Sequence, residues 1–249
     1  KWKGKLHTIA MPTMMVGALV LSLGVWMVVP FESIAHVIIW VGCVPFLLSA
    51  LFLVIWGFRK LIQDRIAAQG IKKPHLGHKL LALIHDPLKF GQLWQMVYMN
   101  FVVTFVGLFM AAKLEEIMRW WPARDESIIL TAHWHILSTI IATIILLHFA
   151  DRSGLKGIVR QVFGWLVIIG SNIAFAAVVI FSLKRVFVSE YAQQPFVDTV
   201  QIPIEIGIVA LWAALGALLV WRWIDLLFKK EGRWKKEKAE ELDSQEVSE

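Results

Sequence analysis

Apolar residues in this chain come in long runs, and the polar ones gather in the stretches between them. A helix that crosses about 30 Å of hydrocarbon at about 1.5 Å per residue needs roughly 20 predominantly apolar residues. Six stretches meet that requirement, approximately 7–29, 34–58, 93–117, 128–149, 162–183 and 200–227, each with few or no charges in its middle. The pattern predicts an all-α integral membrane protein, a six-transmembrane-helix bundle over residues 1–228. A charged tail over 229–249 follows, read as a short helix that frays. The first run is too long for the apolar part of a cleavable signal peptide, and no small-residue cleavage site follows it before Phe31 and Glu32.

Composition agrees: 58% of the residues are apolar and the mean hydropathy is +0.65, well above a soluble domain. The formal charge of +6 is no nucleic-acid signature, because the basic residues lie in the connections. If the runs cross in alternation, 20 of the 25 Lys and Arg fall on one side, and only Lys113, Arg119, Arg124, Lys184 and Arg185 on the other. The excess of positive charge marks the cytoplasmic side, so both the N and C termini are expected in the cytoplasm and the chain in the inner (cytoplasmic) membrane. The longest connection, 59–91, is broken by Gly70, Pro74, Gly77 and Pro87 and is expected to carry an interfacial helix around 79–84. Outer connections are expected to be short around 30–32 and longer around 120–126 and 186–199. Trp2, Trp120, Trp121, Trp221, Trp223 and Trp234 fall at or near predicted interfaces, as anchoring indoles do. The single cysteine, Cys43, rules out a disulfide framework and a Cys-based metal centre within this chain.

Ionisable groups within a span are costly, which makes each a functional candidate. The eight histidines are the informative set. His36 lies near the outer end of the second span, and His133 and His135 lie in the first turns of the fourth, so these three share the outer third of the membrane. His7 opens the first span and His148 closes the fourth, near the inner surface. His75 and His78 fall in the basic connection and are expected to be solvated. Within Thr131-Ala132-His133-Trp134-His135, residues two apart point roughly 200° apart on a helix, so His133 and His135 address different partners.

This H-x-H pair, set against a lone histidine at the outer end of another descending helix, resembles the heme-ligand arrangement of heme-copper oxidase catalytic subunits. The resemblance implies that His135 and His36 are axial ligands of a low-spin heme and that His133 serves a second heme. The chain has half the spans of that family and neither the His-His pair nor the His-Pro-Glu segment that supplies its copper ligands, so oxygen reduction by this chain alone is not implied.

A second arrangement resembles the membrane cytochromes b. His133 and His148 are 15 residues apart, about 22 Å along a helix and only about 60° around it, a spacing that sets one heme near each surface, with His36 and His7 as partners. Bis-imidazole ligation saturates the iron and suits electron transfer. The bland alternative is that interfacial histidines bond headgroups or backbone carbonyls. Glu205, flanked by Ile204 and Ile206, is a candidate for a proton path or a quinone site, or else a carboxylate that reaches the outer interface. Asn100, Thr104, Ser138, Thr139, Ser171 and Asn172 are expected to bond from helix to helix, and Met11, Met14, Met15 and Met27 to pack in the core.

The leading expectation is therefore a heme b-binding subunit of a respiratory or related redox complex, passing electrons between a quinone pool and a partner's redox centre. With no soluble domain of its own, such a chain needs other membrane and redox subunits besides the lipid bilayer. The alternatives are a monooxygenase subunit using histidine-bound copper or iron, and a non-redox anchor or transporter subunit.

Overall fold

The computed structural model describes residues 3–28 and 30–228, the side chains of 3–7, 32, 114, 115 and 118 excepted. Trp2, the charged tail with Trp234, and the side chain of His7 thus lie outside the described residues. The described chain is helical and contains no strand: α1 (Lys3–Trp26), α2 (Glu32–Ala68), α3 (Leu76–Ile84), α4 (Pro87–Val97), a π-helical turn (Tyr98–Val103), α5 (Thr104–Ala112), α6 (Leu114–Trp120), α7 (Ala123–Arg152), α8 (Gly157–Ser182), α9 (Lys184–Phe187), a 3-10 turn (Glu190–Ala192) and α10 (Gln193–Phe228). Six of its helical stretches are long and apolar enough to cross a membrane, as the hydrophobic runs predict.

Several boundaries differ from the sequence expectation. The second helix runs ten residues past 58 to Ala68, because Arg59, Lys60 and their neighbours are good helix formers and nothing breaks the pattern before Gly70, which takes a positive φ of 67°. The connections expected around 120–126 and 186–199 shrink to short helices and turns: α7 already starts at Ala123 with Asp125 and Glu126 in its first turn, favourably placed against the helix dipole. The interfacial helix begins earlier than expected, at Leu76.

Two helical hairpins are held by glycines. On α1 and α2, a β-carbon on Gly17 would come within 2.7 Å of the Phe46 backbone nitrogen, and one on Gly42 would collide with the backbone of Leu21. On α8 and α10, a β-carbon on Gly170 would lie 2.7 Å from Cβ of Ala210. Such small residues let backbones approach closely enough for dispersion to hold helices together without a hydrophobic driving force.

α4 packs against α2, α7 and α8, and α7 against α4 and α8, with contacts that reach the middle of α8. The buried positions of α7 (Ile129, Ala132, Ile136, Ile140, Thr143, Leu147, Ala150) recur every three or four residues and define one inward stripe. Half of the most apolar window of α8 is buried, against 17% for α1 and α10, so α8 is the central helix. One core layer joins Leu88, Leu147, Phe163, Val167 and Leu218, and a second joins Tyr98, Val103, Ile136, Ile140 and Phe175. Outward faces carry exposed apolar side chains such as Leu19, Val37, Phe149 and Val209, compatible with contact to lipid. Met11 and Met15 belong to that outward face at 38 and 61% exposure, which corrects their expected place in the core: these positions of α1 point outward from the bundle.

Candidate functional site

The bundle has two polar ends. At one, here termed the basic end, lie the C-terminus of α2, α3 and the turn from α7 to α8. Arg160 of α8 donates there to both carboxylate oxygens of Asp86, each at 2.9 Å, and also to Asp151 of α7. All three side chains are about four-fifths buried. Asp86 is the N-cap residue of α4 but makes no capping bond, since its oxygens serve Arg160. At the opposite end Asp125 bridges Lys184 and Arg185, both at 3.3 Å. Lys113 donates to Glu116 at 2.9 Å; that bond, with a further one to Trp121, holds the Glu116 carboxyl below the usual carboxylate range.

His36, His133 and His135 all lie towards this opposite end, His36 in the second turn of α2 and His133 and His135 about three turns into α7. His36 is half-buried, and its Nε2 is buried without a hydrogen-bond partner. His133 is also half-buried; its Nδ1 is buried and unpartnered, and its Cε1–Nε2 edge faces Gly107 of α5. An unpaired imidazole nitrogen in an apolar interior carries a desolvation cost of about 1–3 kcal/mol. His135 points to the exposed side, as its two-residue offset from His133 requires, and its Nδ1 lies 2.7 Å from the Thr131 carbonyl one turn back. That bond puts the proton on Nδ1 and leaves the Nε2 lone pair free to act as a donor to a metal.

The π-helical turn positions Gly107. Both the N–H and the hydroxyl of Thr104 reach back to the carbonyl of Met99, five residues away, and Asn100 donates to the Met96 carbonyl at 2.7 Å. The extra residue in such a turn rotates all that follows by about 100° relative to a continuous α-helix, and so decides which face of α5 meets α7. Neither the turn nor the packing of His133 on a glycine was visible in the hydropathy pattern; Asn100 and Thr104 inside an apolar span are the only local signal.

Glu205 is exposed on α10 and accepts from Gln201 at 2.6 Å, one turn back along the same helix. His148 is exposed, with its ring edge-on to Phe149. His75 accepts from the His78 backbone N–H, and the two rings stack at 3.6 Å, so His78 is half-buried rather than fully solvated.

Among the expected helix-to-helix bonders, only Ser171 and Asn172 link helices. They accept from Gln95 at 2.7 Å and from Trp94 at 3.0 Å across the α4–α8 interface. Asn100, Thr104, Ser138 and Thr139 bond instead to carbonyls of their own helices, the local alternative open to short polar side chains.

No hydrogen bond or ring contact among the described residues joins His36 to His133 or His135, and no three His, Cys, Asp or Glu among them gather as a metal cluster. Compared with known proteins, the chain matches no family model, no curated protein and no solved structure.

Proposed function

We propose that this chain is a heme b-binding subunit of a redox complex in the inner membrane, its basic end in the cytoplasm, passing electrons between a quinone pool and a partner's redox centre. The carrying observation is the pair of buried, unpartnered imidazole nitrogens on His36 and His133 towards one end of an apolar bundle. The donor chemistry of these residues fits the group: imidazole is the commonest axial ligand of heme iron, and a nitrogen with no protein partner is free to donate.

His36 and His133 are the candidate axial ligands, with the Nε2 of His135 as a third candidate donor and His7 and His148 as the pair for a heme at the basic end. Bound heme supplies a one-electron carrier whose potential is set by its axial ligands and by burial. The chain's own part is to hold the imidazoles in place: the Thr131 carbonyl orients His135, and Gly107 leaves room for the ring of His133. The exposed carboxylate of Glu205 is a candidate group for quinone or proton contact at the bundle surface.

A heme iron takes four donors from its porphyrin and needs only one or two from protein. A copper or iron monooxygenase centre needs three or more protein ligands close together, a grouping absent among the described residues. The dispersed histidines therefore favour heme over that alternative.

The direct test is the absorption spectrum of the purified protein, oxidised and then reduced with dithionite. A sharp heme b α-band on reduction supports the proposal. Bound copper without heme would favour the monooxygenase, and a colourless, metal-free protein would leave the anchor or transporter.

A further inference from the structure

A cavity of about 510 Å³ opens at the basic end, between α2, α3, the start of α4 and the start of α8. It lies away from the histidines assigned above to electron transfer at the opposite end. Its walls bring together Arg65, Lys89 and Arg160 with Asp64 and Asp86, and Leu61, Ala68 and Ala82 supply an apolar side.

The charges are not equally free. Arg160 is committed to Asp86 and Asp151, and Asp86 spends both oxygens on it. Lys89 stands 4.0 Å from Asp86 and is more than half exposed, too distant for a hydrogen bond. Asp64 is exposed to solvent. Arg65 is the unmatched group: its Nε is buried, and its guanidinium makes no hydrogen bond or ion pair among the described residues. A buried guanidinium nitrogen without an acceptor is costly, and its forked donors fit a phosphate or carboxylate.

Two neighbouring features indicate what kind of anion. Gly157, in the first turn of α8, also lines the cavity; that turn carries no acidic residue of its own and its N-cap Lys156 makes no side-chain capping bond, the nearby carboxylates of Asp86 and Asp151 being taken up by Arg160. Beside the cavity, α3 buries Ala82 and exposes Leu76, Leu80, Leu81 and Ile84, at 73, 54, 65 and 42%. Leu76, Leu80 and Ile84 recur every four residues and form one outward apolar strip on the face of α3 opposite Ala82, as on a helix that lies at a membrane surface with its other face over the cavity.

We propose that this cavity binds the phosphate of an anionic phospholipid, with Arg65 and Lys89 holding the headgroup and an acyl chain leaving against the apolar side formed by Leu61, Ala68 and Ala82. Arg65 supplies the directional donors, Lys89 a second positive charge, and the apolar side of Leu61, Ala68 and Ala82 on a helix pair at the membrane surface favours an amphiphile over a free anion. The site is independent of the heme reading.

Native mass spectrometry of the detergent-purified full chain, with phosphatidylglycerol or phosphatidylcholine added, tests it. One phosphatidylglycerol per chain is expected to survive where phosphatidylcholine is lost. Arg65→Gln and Lys89→Gln are each expected to cut that occupancy at least fivefold, while Lys72→Gln and Lys73→Gln, outside the cavity, leave it unchanged. Should Arg65→Gln fail to fold, the exposed Lys89 still carries the comparison. A thermal-shift titration with inorganic phosphate alone separates the two sources of the same chemistry: no stabilisation assigns the site to lipid, and saturable stabilisation lost in Arg65→Gln assigns it to a free phosphate instead. Equal retention of the two lipids, or full occupancy in both glutamine variants, overturns the site.

Discussion

The imidazole of His133 lies so close to Gly107 that a β-carbon on the glycine would sit 3.1 Å from its Cε1 and 3.4 Å from its Nε2. A methyl group there has to displace the ring by a few tenths of an ångström, and a branched side chain has to displace it further. Gly107→Ala is therefore expected to keep the protein folded while shifting the position or intensity of the heme bands, and Gly107→Val to weaken heme retention. Both are read by difference spectroscopy on variants of matched thermal stability. Identical spectra in the Val variant would detach His133 from the cofactor.

The Asp86–Arg160–Asp151 triad joins α4, α8 and α7 where they begin and end at the basic end. Removing the guanidinium leaves two partly buried carboxylates facing each other, so Arg160→Gln is expected to cost about 2–4 kcal/mol, towards the lower end of values for buried pairs because a fifth of each side chain is exposed. Arg160→Gln combined with Asp86→Asn and Asp151→Asn is expected to be less destabilised than Arg160→Gln alone. Denaturant titration in detergent micelles measures both.

Gly42 sits where the α1–α2 hairpin is tightest, with Gly17 opposite. Gly42→Ala forces the two backbones apart, at a cost of about 1–3 kcal/mol from overpacking, whereas Gly216→Ala on α10 meets open space and is expected to be neutral or slightly stabilising. Thermal melts of the two variants give the comparison directly, and equal losses would contradict the glycine contact.

Glu116 is exposed, and its lowered carboxyl value comes first from its bond to Lys113. A carboxyl depressed in the folded state contributes stability above its unfolded value and loses it as pH falls through the folded one. Lys113→Ala is expected to move the Glu116 titration back up towards the ordinary carboxylate range, as followed by NMR of a glutamate-labelled sample.

The helical architecture was readable because each span needs a continuous apolar run, and nothing later in the chain can disguise one. Helix ends were less readable: residues 59–68 mix charged and apolar side chains yet stay helical, since helix propensity persists beyond the apolar stretch. The relationships that build the sites are tertiary and left little trace. Arg160 finds Asp86 across 74 positions, Gln95 finds Ser171 across 76, and the π turn that aims Gly107 at His133 depends on a single extra residue. His36, His133 and His135 stood out in the sequence because a histidine in an apolar run is conspicuous. That Arg65 lacks a partner could not be seen there, because one more arginine in a basic connection looks solvated.

Heme stoichiometry tests the central claim most directly. The pyridine hemochromogen assay on protein expressed with ample heme should give at least one heme b per chain in the wild type, with the loss of one equivalent in both His36→Ala and His133→Ala, and no loss in His75→Ala. A wild type without heme, or an unchanged heme content in both the His36 and His133 variants, would contradict the account.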